Sequence, residues 1–137
     1  MNISSIFIGN ELLNGQTANA NLITLGNELR LAGYSLSSSE SLPDDVSVIS
    51  CAVKRAMKSN DIIILCGGLG PTVDDLTREA VAAAVGAELE HSEEVRRGLQ
   101  EYMKKKGRTP SEKYYLRQSE VISGSVILNN SDRKSVV

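Results

Sequence analysis

Asp61 is followed by an unbroken apolar run, Ile62-Ile63-Ile64-Leu65-Cys66, and then by Gly67-Gly68-Leu69-Gly70-Pro71. No other feature limits the fold as strongly. Five apolar residues in a row, three of them β-branched, cut off by glycine, read as a short strand. They do not alternate with polar residues, so the run is expected to be buried on both faces, as in a parallel sheet covered by helices. Pro71 and the polar residues after it predict a turn from that strand into a helix over residues 75–85, closed by Gly86.

The rest of the chain repeats this alternation. Residues 3–8 read as a buried strand ended by Gly9, and residues 9–21 as a polar loop. Leu22, Leu25, Leu29 and Ala32 line one face of a helix, with Asn19 or Asn21 able to cap its start and Gly33 placed as its terminal glycine. Residues 34–42 form a serine-heavy second strand candidate. Pro43-Asp44-Asp45 marks the start of a helix carrying Val46, Ile49, Val53, Ala56 and Met57 on its apolar stripe. Ser92, Glu93 and Glu94 open a helix whose face is Val95, Leu99, Tyr102 and Met103, here read as core, and which Lys104, Lys105 and Lys106 close at the favourable end of the dipole. Residues 110–118 give a short helix and residues 121–128 a last strand, interrupted by Gly124. This order predicts βαβ units: an α/β, three-layer sandwich with a mostly parallel sheet covered by helices on both faces. The domain is expected over residues 1–128, with a polar tail over 129–137.

Composition narrows the function. The 15 Lys and Arg against 17 Asp and Glu give a net charge of −2, which argues against a nucleic-acid binder with a basic face. One histidine, His91, excludes any centre that needs two and reads as a surface residue. Cys51 and Cys66 lack the spacing of a zinc site or a disulfide framework. No run approaches the length of a membrane span, and residues 1–10 lack a signal peptide's basic region. The expectation is a cytoplasmic protein with reduced thiols and no membrane partner.

Ligands of parallel α/β sheets bind beyond the carboxyl ends of the strands. Three loops there carry chemistry: residues 9–21, 43–45 and 67–77. In the third, Gly67, Gly68 and Gly70 let backbone N–H groups approach a phosphate ahead of a helix N-terminus. The loop is neither a Walker A loop nor a complete dinucleotide fingerprint. Asp74 and Asp75 read either as carboxylates for a divalent cation or as helix N-caps. Asp44 and Asp45 pose the same choice. If the second strand lies beside the third, Asp44 would face the glycine loop. Arg78 and Glu79 read as a surface pair.

Three stretches resemble the molybdopterin-binding (MogA/MoaB-like) domain family, and within it the N-terminal domain of CinA-type competence/damage-inducible proteins. They are Ile8-Gly9-Asn10-Glu11-Leu12-Leu13-Asn14-Gly15-Gln16 continuing to Asn19-Ala20-Asn21, then Pro43-Asp44-Asp45, and Gly67-Gly68-Leu69-Gly70-Pro71-Thr72-Val73-Asp74-Asp75-Leu76-Thr77. The resemblance implies a nucleotide or pterin ligand held by Gly67, Gly68, Gly70, Thr72, Thr77, Glu11 and Asn19. It implies Asp44 and Asp75 as catalytic residues and as ligands of Mg²⁺ or Co²⁺. The implied activity in the CinA branch is metal-dependent ADP-ribose pyrophosphatase; in the MogA branch it is adenylylation of molybdopterin. A non-catalytic binding remnant and a homo-oligomer are further expectations. The family continues after its last strand with a Pro/Gly stretch, where this chain has Asn129, Asn130 and then Ser131-Asp132-Arg133-Lys134-Ser135-Val136-Val137.

Overall fold

The computed structural model describes residues 1–128. The expected tail and the Pro/Gly comparison from Asn129 onward lie outside them. Along the chain run β1 (Ile3–Ile8), α1 (Asn10–Leu13), α2 (Ala20–Leu31), β2 (Ser38–Leu42), α3 (Val46–Ala56), β3 (Ile62–Cys66), α4 (Thr77–Val85), β4 (Leu89–His91), α5 (Glu93–Lys105), α6 (Glu112–Gln118) and β5 (Glu120–Ile122).

β1 is the centre of a parallel sheet of order β2-β1-β3, and β4 and β5 form a separate antiparallel pair. All six residues of β1 are buried. On one face Ile6 and Ile8 pack with Ile49, Ala52 and Val53 of α3 and Ala80 of α4. Burying each branched side chain is worth about 1.5–3 kcal/mol, and this cluster is the main adhesive of the domain. The α3 stripe predicted from periodicity supplies two of its members, Ile49 and Val53. Phe7 pairs with Cys66 on the opposite face, where Asn21 near the start of α2 donates to Cys66 Sγ at 3.1 Å. Helices therefore lie over both faces, as expected.

Side chains start the helices. Asn19, Asp45, Ser92 and Ser111 each accept the N–H three residues on, at Leu22, Val48, Val95 and Tyr114, satisfying one of the free donors of a first turn. Leu99 and Met103 of α5 are buried, as the stripe predicts.

Three expectations fail here. β3 is not buried on both faces: Ile62 is 41% exposed and its neighbours are half-buried, because β3 pairs with β1 alone among the described residues. Unbroken hydrophobicity marks an apolar environment but not a central place in a sheet. The central strand carries Ser4 and Ser5, both buried with hydroxyls that find no partner. β2 does not lie beside β3, since β1 separates them. The last strand stops at Ile122, because Gly124 takes a positive φ of 77° in a turn.

Candidate functional site

The three polar loops meet at the carboxyl end of the sheet, with the end of β1 between the other two. Gly9 N–H donates to Leu42 O at 3.0 Å, joining the first loop to the second. On the other side Gly67 packs on the Ile8 carbonyl so closely that a Cβ would collide with it. Gly67 also holds φ at 103°, so only glycine fits there without strain.

Residues 67–77 are folded by bonds that all seize carbonyls from below. Thr77 Oγ1 donates to Gly67 O at 2.7 Å, and Thr77 N–H to Gly68 O at 3.1 Å. Arg78 Nη2 donates to Leu69 O at 3.2 Å and Gly70 O at 3.3 Å. Gln118 Nε2 also donates to Leu69 O, at 3.2 Å. No peptide here is cis. In a trans peptide the N–H points opposite the preceding C=O. Tying down the carbonyls of Gly67 and Gly68 therefore turns the N–H groups of Gly68 and Leu69 away from α4, which supplies both bonds.

Gly70 lies against the Asp75 carboxylate, a Cβ there standing 2.6 Å from Asp75 Oδ2, and Asp75 accepts from Thr72 N–H at 2.9 Å and from Thr72 Oγ1 at 2.5 Å. Burial alone would raise the Asp75 pKa. The Thr72 hydroxyl, the N–H groups of Gly70 and Thr72 and the nearby Arg78 charge outweigh it and hold the carboxyl below its ordinary value. Asp75 is thus an anion at neutral pH. Neither Asp74 nor Asp75 caps α4: Leu76 occupies that position and offers no side-chain cap.

Asp44 stands on the other rim. Its Oδ2 accepts the Asn10 N–H at 3.0 Å, and Asn10 Oδ1 accepts the Asp44 N–H at 3.4 Å. Neighbouring Asp45 is the cap of α3, and its bonds to Ser47 and Val48 hold its carboxyl below the ordinary value. Glu11 folds its carboxylate over Gly9, where a Cβ would collide with it. Asn19 spends its side chain on capping α2, so its predicted ligand role competes with a structural one.

Two readings of single residues change. Arg78 is no surface residue: it is 2% exposed, and its Nε and Nη1 find no partner. Burial and the repulsion of Arg117 lower its pKa. Glu79 pairs with Arg117 of α6 rather than with Arg78. Arg117 bridges to Glu120 at 2.9 Å and donates to the Asp75 backbone carbonyl; its bond to Glu79 raises its pKa. Arg117 and Gln118 were not singled out from the sequence, and Arg78 was read as a surface group. For Arg78 a signal existed: a cation in the first turn of a helix opposes the dipole and needs some other reason to be there.

The described residues contain no group of three His, Cys, Asp or Glu side chains able to hold a metal by themselves. Asp44 accepts one described bond and Asp75 two, while a carboxylate offers about four lone pairs. Each retains capacity for a cation. Mg²⁺ typically takes one or two protein carboxylates and completes its shell with water and substrate phosphate. The donor set fits a cation brought with a phosphorylated ligand.

Among the described residues no helix is long and apolar enough to cross a membrane. The chain is 38% identical over 124 residues to a CinA-like protein of Fervidobacterium nodosum, covering 90% of this chain and 30% of that protein; it spans about a third of the length of such relatives. It superposes on the crystal structure of the protein CinA with unknown function from Thermoplasma acidophilum with TM-score 0.84 and 31% identity, covering 98% of this chain and 78% of that one. The tungsten cofactor synthesizing protein MoaB of Pyrococcus furiosus shares the fold alone, at TM-score 0.57 and 20% identity over 88% of this chain and 78% of that one. The model of the family described as "Probable molybdopterin binding domain" matches residues 4–137. The chain belongs to that molybdopterin-binding domain family, in company with its CinA-like members.

Proposed function

We propose that this domain binds a nucleotide diphosphate on the amide side of residues 67–77 and hydrolyses its phosphoanhydride, acting as a metal-dependent ADP-ribose pyrophosphatase. One observation carries the reading: the carbonyls of Gly67, Gly68, Leu69 and Gly70 are all bonded from below, which leaves an amide side next to an ionised Asp75. The Gly68 N–H would hold a phosphate oxygen, with Thr72 beside it. Asp44 and Asp75 would hold Mg²⁺ or Co²⁺ together with the ligand's phosphates; when bound, the ion neutralises phosphate charge. Asp44, the less encumbered carboxylate, would orient the attacking water. The reaction adds water across the P–O–P bridge of ADP-ribose and releases AMP and ribose 5-phosphate.

The family's description favours a second ligand, molybdopterin; the chemistry we propose with it is adenylylation. The test is AMP release from ADP-ribose with Mg²⁺, Co²⁺ or EDTA, by wild type and Asp75→Asn. Metal-dependent release, lowered at least about 100-fold by the substitution, supports the pyrophosphatase. Adenylylation of added molybdopterin without that release supports the second reading. Nucleotide binding with neither product marks a binding module.

The working state is proposed to be a homo-oligomer. Ile23 and Leu31 of α2 are 66% and 72% exposed, and a second copy would cover such a face. Light scattering of the purified chain decides it, and a monomer at high micromolar concentration would overturn it.

A further inference from the structure

Arg78 is costly where it stands. It is 2% exposed, no carboxylate among the described residues lies within ion-pair distance, and two of its nitrogens are unpartnered. A buried guanidinium with donors left over gives little net stability, and a well-packed apolar residue of similar length is often as good or better. What the guanidinium does accomplish is local. Its Nη2 reaches Leu69 O and Gly70 O. Gln118, 7% exposed at the end of α6, approaches the same Leu69 carbonyl from another element.

The Leu69 carbonyl and the Gly70 N–H belong to one planar peptide. Fixing the first fixes the second, and Gly70 lies directly against the Asp75 carboxylate: a Cβ on it would stand 2.6 Å from Asp75 Oδ2. The neighbouring Arg117 holds the Asp75 backbone carbonyl. Asp75 is therefore gripped at its side chain by the loop and at its main chain by α6.

We propose that Arg78 and Gln118 are positioning residues for Asp75, acting through the shared Leu69–Gly70 peptide, with Arg117 holding the backbone of Asp75 in register. The inference rests on the pyrophosphatase reading only for its consequence in turnover. It touches neither phosphate nor metal directly, so its signature is in kcat and the order of the loop rather than in KM.

Two variants test it. Arg78→Met removes the two unpartnered donors along with the loop bonds. Gln118→Glu keeps the shape but sets an acceptor against the Leu69 carbonyl. The measurements are thermal unfolding, kcat and KM for ADP-ribose with Mg²⁺, and the amide ¹H–¹⁵N signals of Gly70 and Thr72 in ligand-free, metal-free protein. Arg78→Met is expected to leave Tm unchanged or raised while kcat falls about 10- to 100-fold and KM moves less than about 3-fold. Both variants should displace the Gly70 amide signal. A purely structural role predicts instead that Tm falls with kcat, and that result overturns the proposal. An unmoved Gly70 signal in both variants overturns it too. If wild type does not hydrolyse ADP-ribose, the pyrophosphatase reading fails by itself, and the ligand-free Gly70 signal still decides the positioning.

Discussion

The two carboxylates of the site are held very differently. Asp75 accepts twice from Thr72, and its loop is tied down by Thr77, Arg78 and Gln118. Asp44 accepts one N–H, from Asn10, and the return bond is a long 3.4 Å. One rim is held by α4 and α6; the other rests on the pair of bonds between Asn10 and Asp44. A fixed carboxylate beside a fixed amide side suits the group that must not move during chemistry. A loosely tied one suits the side through which ligand arrives and leaves. The contrast also separates residues that govern stability from residues that govern only turnover.

The largest effect lies in the glycines of the two rims. Gly67→Ala drives a Cβ into the Ile8 carbonyl and forces φ 103° on an L side chain. We expect a loss of about 3 kcal/mol or more in denaturant unfolding, enough to threaten folding. Gly15 on the opposite rim also has positive φ, 70°, but meets nothing within 4 Å. Gly15→Ala should cost about 1–2 kcal/mol, the conformational term alone. Equal costs at both positions would remove the asymmetry. Thr77→Val comes next. It is isosteric but leaves the Gly67 carbonyl without the hydroxyl bond of 2.7 Å, for a loss of about 1–3 kcal/mol. Thr77→Ser, which restores the hydroxyl, should recover most of it.

How far the sequence disclosed this arrangement differs from element to element. Strands β1 and β3, the helix caps at Asn19 and Ser92, and the glycine turn were all legible, because local chemistry dictates them. The burial of Ser4 and Ser5 was not, since two serines become central only through the pairing of β1 with both β2 and β3. The grip on the loop was hidden for the same reason. Gln118 lies 49 positions from the carbonyl it holds, and no periodicity reports such a contact. Arg78 was misread as a surface group because charge usually implies exposure. Its burial is bought by bonds into a loop whose shape the sequence alone does not specify.

A third test uses pH on metal-free protein. The Asp75 carboxyl is held below its ordinary value of 3.8 in the folded state. Its contribution to stability is therefore fully present above that value and is lost as pH falls through the depressed folded-state value. Asp75→Asn keeps an acceptor for Thr72 but cannot titrate. Its unfolding free energy should fall less steeply than that of wild type below about pH 4. Parallel acid limbs would mean that the Thr72 bonds do not favour the ionised form, and the preorganised rim would lose its main support.

The smallest effect is the most discriminating for the loose rim. Asn10→Ala deletes the acceptor of the 3.4 Å bond while leaving the Asn10 N–H on Asp44 in place. Its stability cost should stay within about 0.5 kcal/mol, as for an ordinary surface change. Asp44→Asn does the reverse: it keeps an oxygen for the Asn10 N–H and removes the charge. If Asp44 serves turnover rather than folding, the two variants unfold alike, yet only Asp44→Asn loses metal-dependent AMP release. Were Asn10→Ala to lose it equally, the 3.4 Å bond would be orienting Asp44, and the first loop would have to be counted with the preorganised rim. Were neither to lose it, Asp75 would carry the chemistry without its opposite neighbour, and the site would have one working rim.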